Sequence, residues 1–136
     1  MEASSPHFSL ADWVRPPWPG SVSIAGPANR EARGFYQRSQ LHVLAWSPLA
    51  SGFLSTGARS RTYASPANIA RRQRMQALAN QRGVTPSQLG LAYLLNQPFP
   101  VSPVVSASTV EKMRANLEAV AIHLSPSEIL ELEGEG

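Results

Sequence analysis

The chain contains no cysteine, which excludes disulfide bonds, thiol nucleophiles and thiolate metal sites together. No apolar run approaches the ~20 residues that a membrane helix needs. The opening MEASSPHFSL lacks the basic and apolar regions of a secretion signal. A soluble, cytoplasmic protein with no membrane partner is therefore expected. Histidine is scarce, and His7, His42 and His123 stand far apart. There is no HExxH, no GxSxG, no P-loop and no GxGxxG, and no acidic or histidine cluster spaced to hold a metal.

What is present bounds the rest. A length of 136 residues suits one modest domain, and a hydrophobic content of 43% is enough for a packed core. The net charge is +3, and the only lysine, Lys112, stands among eleven arginines. Arg59, Arg61, Arg71, Arg72 and Arg74 concentrate mid-chain, while Glu128, Glu131, Glu133 and Glu135 make an acidic tail. Nucleic-acid surfaces interleave such cations with exposed aromatics, and only Tyr63 is near. The arginines read as a solvated helix face, with phosphate attraction the minor alternative and no nucleic-acid partner expected.

Local signals divide the chain. Residues Pro6 to Leu10 look strand-like, and the stretch from Trp13 to Pro27, with Pro16, Pro17 and Pro19 inside it, reads as a long loop. Asn29 to Arg38 suits a helix with Asn29 as its N-cap and Phe35 and Tyr36 facing inward. His42 to Trp46 has the short apolar pattern of a strand buried on both faces. Gly57 to Pro66 reads as a loop, and Ile69 to Arg82 as a helix ended by Gly83. Thr85-x-x-Gln88, Ser108-x-x-Glu111 and Ser125-x-x-Glu128 are capping boxes, two of them followed by proline at the first helical position. They predict helices over Thr85 to Asn96, Thr109 to Val120 and from Pro126, with Val101 to Val105 as a further strand. Thr85 to Asn96 is apolar on most sides, as for a helix buried against a sheet. Alternating strand and helix predicts an α/β fold with a parallel sheet.

Two segments carry candidate chemistry. In LHVLAWSPLASGFL a strand ends at Trp46 and continues as Ser47, Pro48, Leu49, Ala50, Ser51 and Gly52. A loop of such small residues lets backbone N–H groups approach phosphates closely. On these residues alone, a core tryptophan followed by a proline turn reads equally well. In VSPVVSASTVEKMRAN a second strand passes through Ser106, Ala107, Ser108 and Thr109 into a helix. A helix start is a ready anion site, and Lys112 and Asn116, spaced i, i+4, share one face near it. An ordinary capped amphipathic helix is the alternative.

In this order the two segments, with GVTPSQLGLAYLLNQP between them, resemble the cofactor-holding end of aldo-keto reductases, NADPH-dependent (β/α)8-barrel oxidoreductases. The resemblance runs from about Ser5 to the end. It implies a partial TIM barrel over residues 1–136, from about the sixth strand to the eighth helix. It implies NADP(H) as cofactor, with Trp46 stacked on the nicotinamide and Ser47, Leu49, Ser51 and Gly52 around the pyrophosphate. The hydroxyls of Ser108 and Thr109 and the cation of Lys112 would meet the 2′-phosphate and Asn116 the adenine, with Ser106 and Ala107 also among the cofactor-binding residues. Some members carry Lys where Ser106 stands, and others Gly, so NADP is favoured over NAD without being secured. Ser5 falls where a Gln that holds the carboxamide is common.

The family's catalytic Asp, Tyr, Lys and His lie on earlier strands, and no residue here matches them. The implied activity is hydride transfer between the cofactor and a small carbonyl compound or alcohol. Carbonyl substrate is expected only in a complete barrel, and this truncated chain alone is expected to be inactive. The alternative is a non-catalytic fragment that binds nucleotide or docks onto a full-length relative. An arginine-rich interaction module is a third reading. Three parallel strands would leave two open edges and bare interior side chains, which self-association or a complementing chain would cover. The segment from Gly57 to Tyr63 is shorter than the family's usual loop, so it names no substrate.

Overall fold

His42–Ala45 (β2) is the centre of a three-stranded parallel sheet in the order β1-β2-β3, flanked by Ala3–Ser4 (β1) and Val101–Pro103 (β3). The register pairs Val43 with Val101 and Ser4 with Val43 in this computed structural model, which describes residues 2–135. The α/β class expected from the alternation is what the chain adopts. The first strand, however, lies before Pro6 rather than over Pro6 to Leu10. Pro6 has no N–H for a ladder, and beyond it only His7 forms bridges, to Ser23 and to Trp46.

β2 was expected to be buried on both faces, but its side chains alternate. Val43 and Ala45 are buried, whereas Leu44 is 38% exposed. The helices cover one face of the sheet only, and the other, with Leu44 and Val104, faces outward. On the covered side, Val43, Ala45 and Val101 join Phe8, Tyr36, Tyr93, Leu94 and Phe99 in one core.

Arg30–Ser39 (α1) follows Asn29, which occupies the N-cap without a side-chain bond. Tyr36 is buried and its hydroxyl meets Ser4 Oγ at 2.7 Å, but Phe35 is half exposed. Adjacent helical residues point about 100° apart, so the two rings cannot both face inward. Phe53–Thr56 (α2) is a single short helix after the loop that follows β2. Pro66–Arg82 (α3) starts three residues before the expected Ile69, because Ser65 caps it by accepting from Asn68 N.

Pro86–Leu95 (α4) has both halves of its expected capping box, Thr85 with Gln88, and is buried from Gln88 to Leu94. Gly90 permits this close packing: a Cβ there would lie 2.7 Å from Leu49 Cδ2. Val110–Glu118 (α5) departs from expectation at its start. Thr109, not Ser108, is the N-cap, accepting from Lys112 N at 3.1 Å, and no capping box with Glu111 forms. The α-helix ends at Glu118 and runs into a 3-10 turn, Ala119–Ala121. Pro126–Glu133 (α6) is capped by Ser125 and Glu128 as expected.

Arg59 and Arg61 are exposed, but Arg71 and Arg74 of α3 do not belong to a solvated face. Arg71 is buried, donating to Asp12 Oδ1 at 2.9 Å and Asn68 Oδ1 at 2.7 Å. Arg74 donates to the carbonyl of Leu132. The chain after β1 and helix α6 pack over α3, so these cations bind within the molecule instead of meeting solvent.

Candidate functional site

The residues after β2 enter an unusual backbone course. Ser47, Ala50 and Ser51 all have positive φ (48°, 55° and 52°), and Gly52 follows at 89°. Side-chain-bearing residues rarely adopt this left-handed region, and such strain concentrates at functional loops. Ala50 N donates to the Ser47 carbonyl at 3.0 Å and closes the turn, and the small residues let an anion approach the backbone closely. Gly90 of α4 lets the helix press against this loop from behind at Leu49.

The loop forms one wall of a cleft of about 670 Å³, within the range of small-molecule sites. Ser47, Leu49, Ser51 and Gly52 line it, and so do Ser106, Lys112 and Asn116 from the far side. Seven of the eleven candidate residues, from segments more than fifty positions apart, therefore share one cavity. Four lie outside its lining: Trp46, Ala107, Ser108 and Thr109. Thr109 Oγ1 is engaged by the α5 backbone, and Ser108 Oγ accepts from Lys112 Nζ at 3.1 Å. Ser108 thus touches the cleft only through the cation it holds. Ser5 donates to the carbonyl of Leu44 at 2.9 Å and does not line the cleft.

Other lining residues escaped sequence reasoning. Ser55 and Thr56 come from α2, Thr85 and Ser87 from the start of α4, and Val104, Val105 and Ala115 close the apolar side. The signal for Thr85 and Ser87 was present, since a capped helix start offers hydroxyls and N–H groups together. Nothing in the spacing says that this helix start opens on the same cavity as Lys112.

Beside the cleft, Trp46 sits in an aromatic cluster. His7 meets it edge-on with ring centroids 5.2 Å apart, Trp13 lies tilted at 5.6 Å, and Trp18 stacks nearly parallel at 5.0 Å and 20°. His7 is fully buried, with Ser23 Oγ 2.7 Å from Nδ1 and Tyr63 Oη 2.9 Å from Nε2. Burial pushes the imidazole pKa down to about 4. The same burial pushes the Tyr63 phenol up, with Trp13 and Ser47 pulling it partly back. Tyr63 is 3% exposed, so this relay braces the cluster and offers no open acid.

A second, larger groove of about 1100 Å³ runs between α1 and α6, lined in part by Phe99, Leu124, Ile129 and Leu130. It contains none of the candidate residues. Among the described residues no set of three or more His, Asp or Glu could hold a metal ion. No helix among them is long and apolar enough to cross a membrane.

The model of the Aldo/keto reductase family matches residues 26–134, the stretch that contains both walls of the cleft. The chain belongs to the aldo/keto reductase family. A 6-dehydroglucose reductase of Agrobacterium fabrum is 26% identical over 98 residues, which are 72% of this chain and 30% of that protein. Among solved structures, a thermostable aldo-keto reductase in complex with the inhibitor epalrestat superposes with a TM-score of 0.68 at 24% identity. That match covers 97% of this chain and 39% of that one. An aldo/keto reductase from Klebsiella pneumoniae in complex with NADP and acetate gives a TM-score of 0.67 at 23% identity, over 98% of this chain and 39% of its own. The fold is thus that of part of an aldo-keto reductase barrel. The chain spans about a third of the length of these relatives.

Proposed function

We propose that this chain is the NADP(H)-holding part of an aldo-keto reductase, corresponding to about the sixth strand through the eighth helix of the barrel. The observation that carries the reading is the single cleft joining the Ser47–Gly52 loop to Ser106, Lys112 and Asn116. The donor set suits a nucleotide with phosphates at two places. One end has hydroxyls and a left-handed backbone run, and the other a cation beside serines.

In this reading Ser47, Leu49, Ser51 and Gly52 surround the pyrophosphate, and Trp46 takes the nicotinamide. Lys112, fixed by its bond to Ser108, meets the 2′-phosphate with Ser106, and Asn116 meets the adenine. Ala107 and Thr109 act by holding the strand-to-helix turn in shape. The bound cofactor supplies a hydride for a carbonyl carbon. The chain's own residues bind and orient it. Neither His7 nor Tyr63, the titratable pair beside Trp46, is exposed enough to pass a proton to a substrate, which supports the reading that the chain alone is inactive as a reductase.

A second reading follows from the uncovered sheet face bearing Leu44 and Val104. A complementing chain, a full-length relative or another copy would cover it, with nucleotide binding retained and catalysis supplied by the partner or absent.

Fluorescence titration with NADPH, and with NADH as control, tests the proposal. Saturation favouring NADPH is expected, lost in Trp46→Ala and with the preference for NADPH erased in Lys112→Met. Equal binding of both dinucleotides by the wild type would refute the role of Lys112. NADPH oxidation by the pure chain with an aldehyde panel would refute the predicted inactivity.

A further inference from the structure

We infer that Trp18 gates the Trp46 surface beside the cleft, covering it with its own indole until a flat ring ligand takes its place. The inference rests on the cofactor reading proposed above. Trp46 is flanked by three rings, and they are not equivalent. His7 meets it edge-on and is fully buried, and Trp13 is tilted by 44° and partly buried. Only Trp18 lies flat on it, at 5.0 Å and 20°, and Trp18 is 54% exposed. An offset parallel stack is the arrangement a nicotinamide ring would adopt on an indole. Trp18 therefore occupies, from the solvent side, a flat face of Trp46 on which such a ring would have to stack.

The backbone beneath Trp18 is built to stay while the side chain moves. Ser21 N and Oγ both donate to the Trp18 carbonyl, at 3.3 and 2.6 Å. Pro19 and Gly20, with φ at 84°, occupy the central positions of this turn, the sequence that a type II turn demands. Upstream, Val14 N donates to the Thr62 carbonyl at 2.6 Å, and Pro16 and Pro17 stiffen the connection. The loop is held at both ends, so the indole leaves by rotating about its side-chain bonds. Displacement exchanges one ring stack for another. The gate therefore weakens binding moderately without abolishing it.

Three titrations of the full chain test this: wild type, Trp18→Ala and Trp18→Phe, each with NADPH and with 2′,5′-ADP, which has the adenosine end but no nicotinamide. Trp18→Ala is expected to tighten NADPH roughly three- to tenfold, the worth of one aromatic stack, and to leave 2′,5′-ADP unchanged. Trp18→Phe should fall between. The near-UV circular dichroism of the stacked indoles should diminish as NADPH saturates the wild type. NADPH binding that is unchanged or weakened in Trp18→Ala overturns the gate, as does an equal shift for both ligands. Failure of every variant to bind either ligand overturns the cofactor reading and the gate with it. Normal 2′,5′-ADP binding without the NADPH effect overturns the gate alone.

Discussion

The Tyr63 hydroxyl and His7 Nε2 stand 2.9 Å apart although 56 positions separate them in the chain. Their bond ties the loop before α3 to the segment after β1, where His7 meets Trp46 edge-on. With Ser23 on Nδ1, both ring nitrogens of a neutral imidazole have partners. The aromatic cluster around Trp46 is braced by a histidine whose burial favours its uncharged form.

This makes stability depend on pH. The His7 pKa is about 4 in the folded chain against 6.5 unfolded, so between these values the unfolded state binds more protons and stability rises with pH. The contribution is complete above pH 6.5 and is lost as pH falls toward about 4, at most about 3 kcal/mol in all. His7→Gln should be less stable than wild type at pH 7.5, and the gap should close by pH 4.5. Urea midpoints at the two values check this, and a constant gap would show that His7 is not held neutral.

The caps separate residues that the sequence makes look alike. Thr109→Ala should cost about 1 kcal/mol, because its hydroxyl accepts from Lys112 N. Ser108→Ala should leave stability unchanged, since that hydroxyl caps nothing. Chemical denaturation of the two variants distinguishes them.

Gly90 and Leu49 are coupled by contact. A Cβ at position 90 would lie 2.7 Å from Leu49 Cδ2. Gly90→Ala therefore gains about 1 kcal/mol of helix propensity but loses a similar or larger amount to overpacking. In a double-mutant cycle, Leu49→Ala should relieve that strain, with a coupling of about 1 kcal/mol. Additive effects would mean that the helix and the loop do not press on each other.

Arg71 joins α3 to the segment after β1 through Asp12 and is steadied by Asn68 of its own helix. Arg71→Leu should cost about 2 kcal/mol, as expected for losing charge-assisted bonds in a largely buried place. Asp12→Asn should cost less, because Asp12 keeps contact with solvent. Equal losses would argue that the pair acts mainly through charge.

Much of the secondary structure was legible because its signals are local. Ser65, Thr85 and Ser125, each followed by proline, start helices through bonds within four residues, and Ser65-Pro66 carries the same local signal as the other two. Thr109 displaced Ser108 as a cap by one residue, a choice that depends on the path of the chain leaving β3. Phe35 and Leu44 were misplaced because burial depends on which face the helices cover.

Residue pattern alone determined the parallel α/β class and two candidate segments whose residue types suit phosphate groups, and the family resemblance supplied the dinucleotide. Tertiary structure decided that seven of those residues share one cleft, that Ser108 reaches it only through Lys112, and that Arg71 and Arg74 bind within the molecule. It also set Trp18 upon Trp46. Such pairings join residues far apart in the chain, and their geometry follows from sheet register and helix packing, which no local spacing encodes.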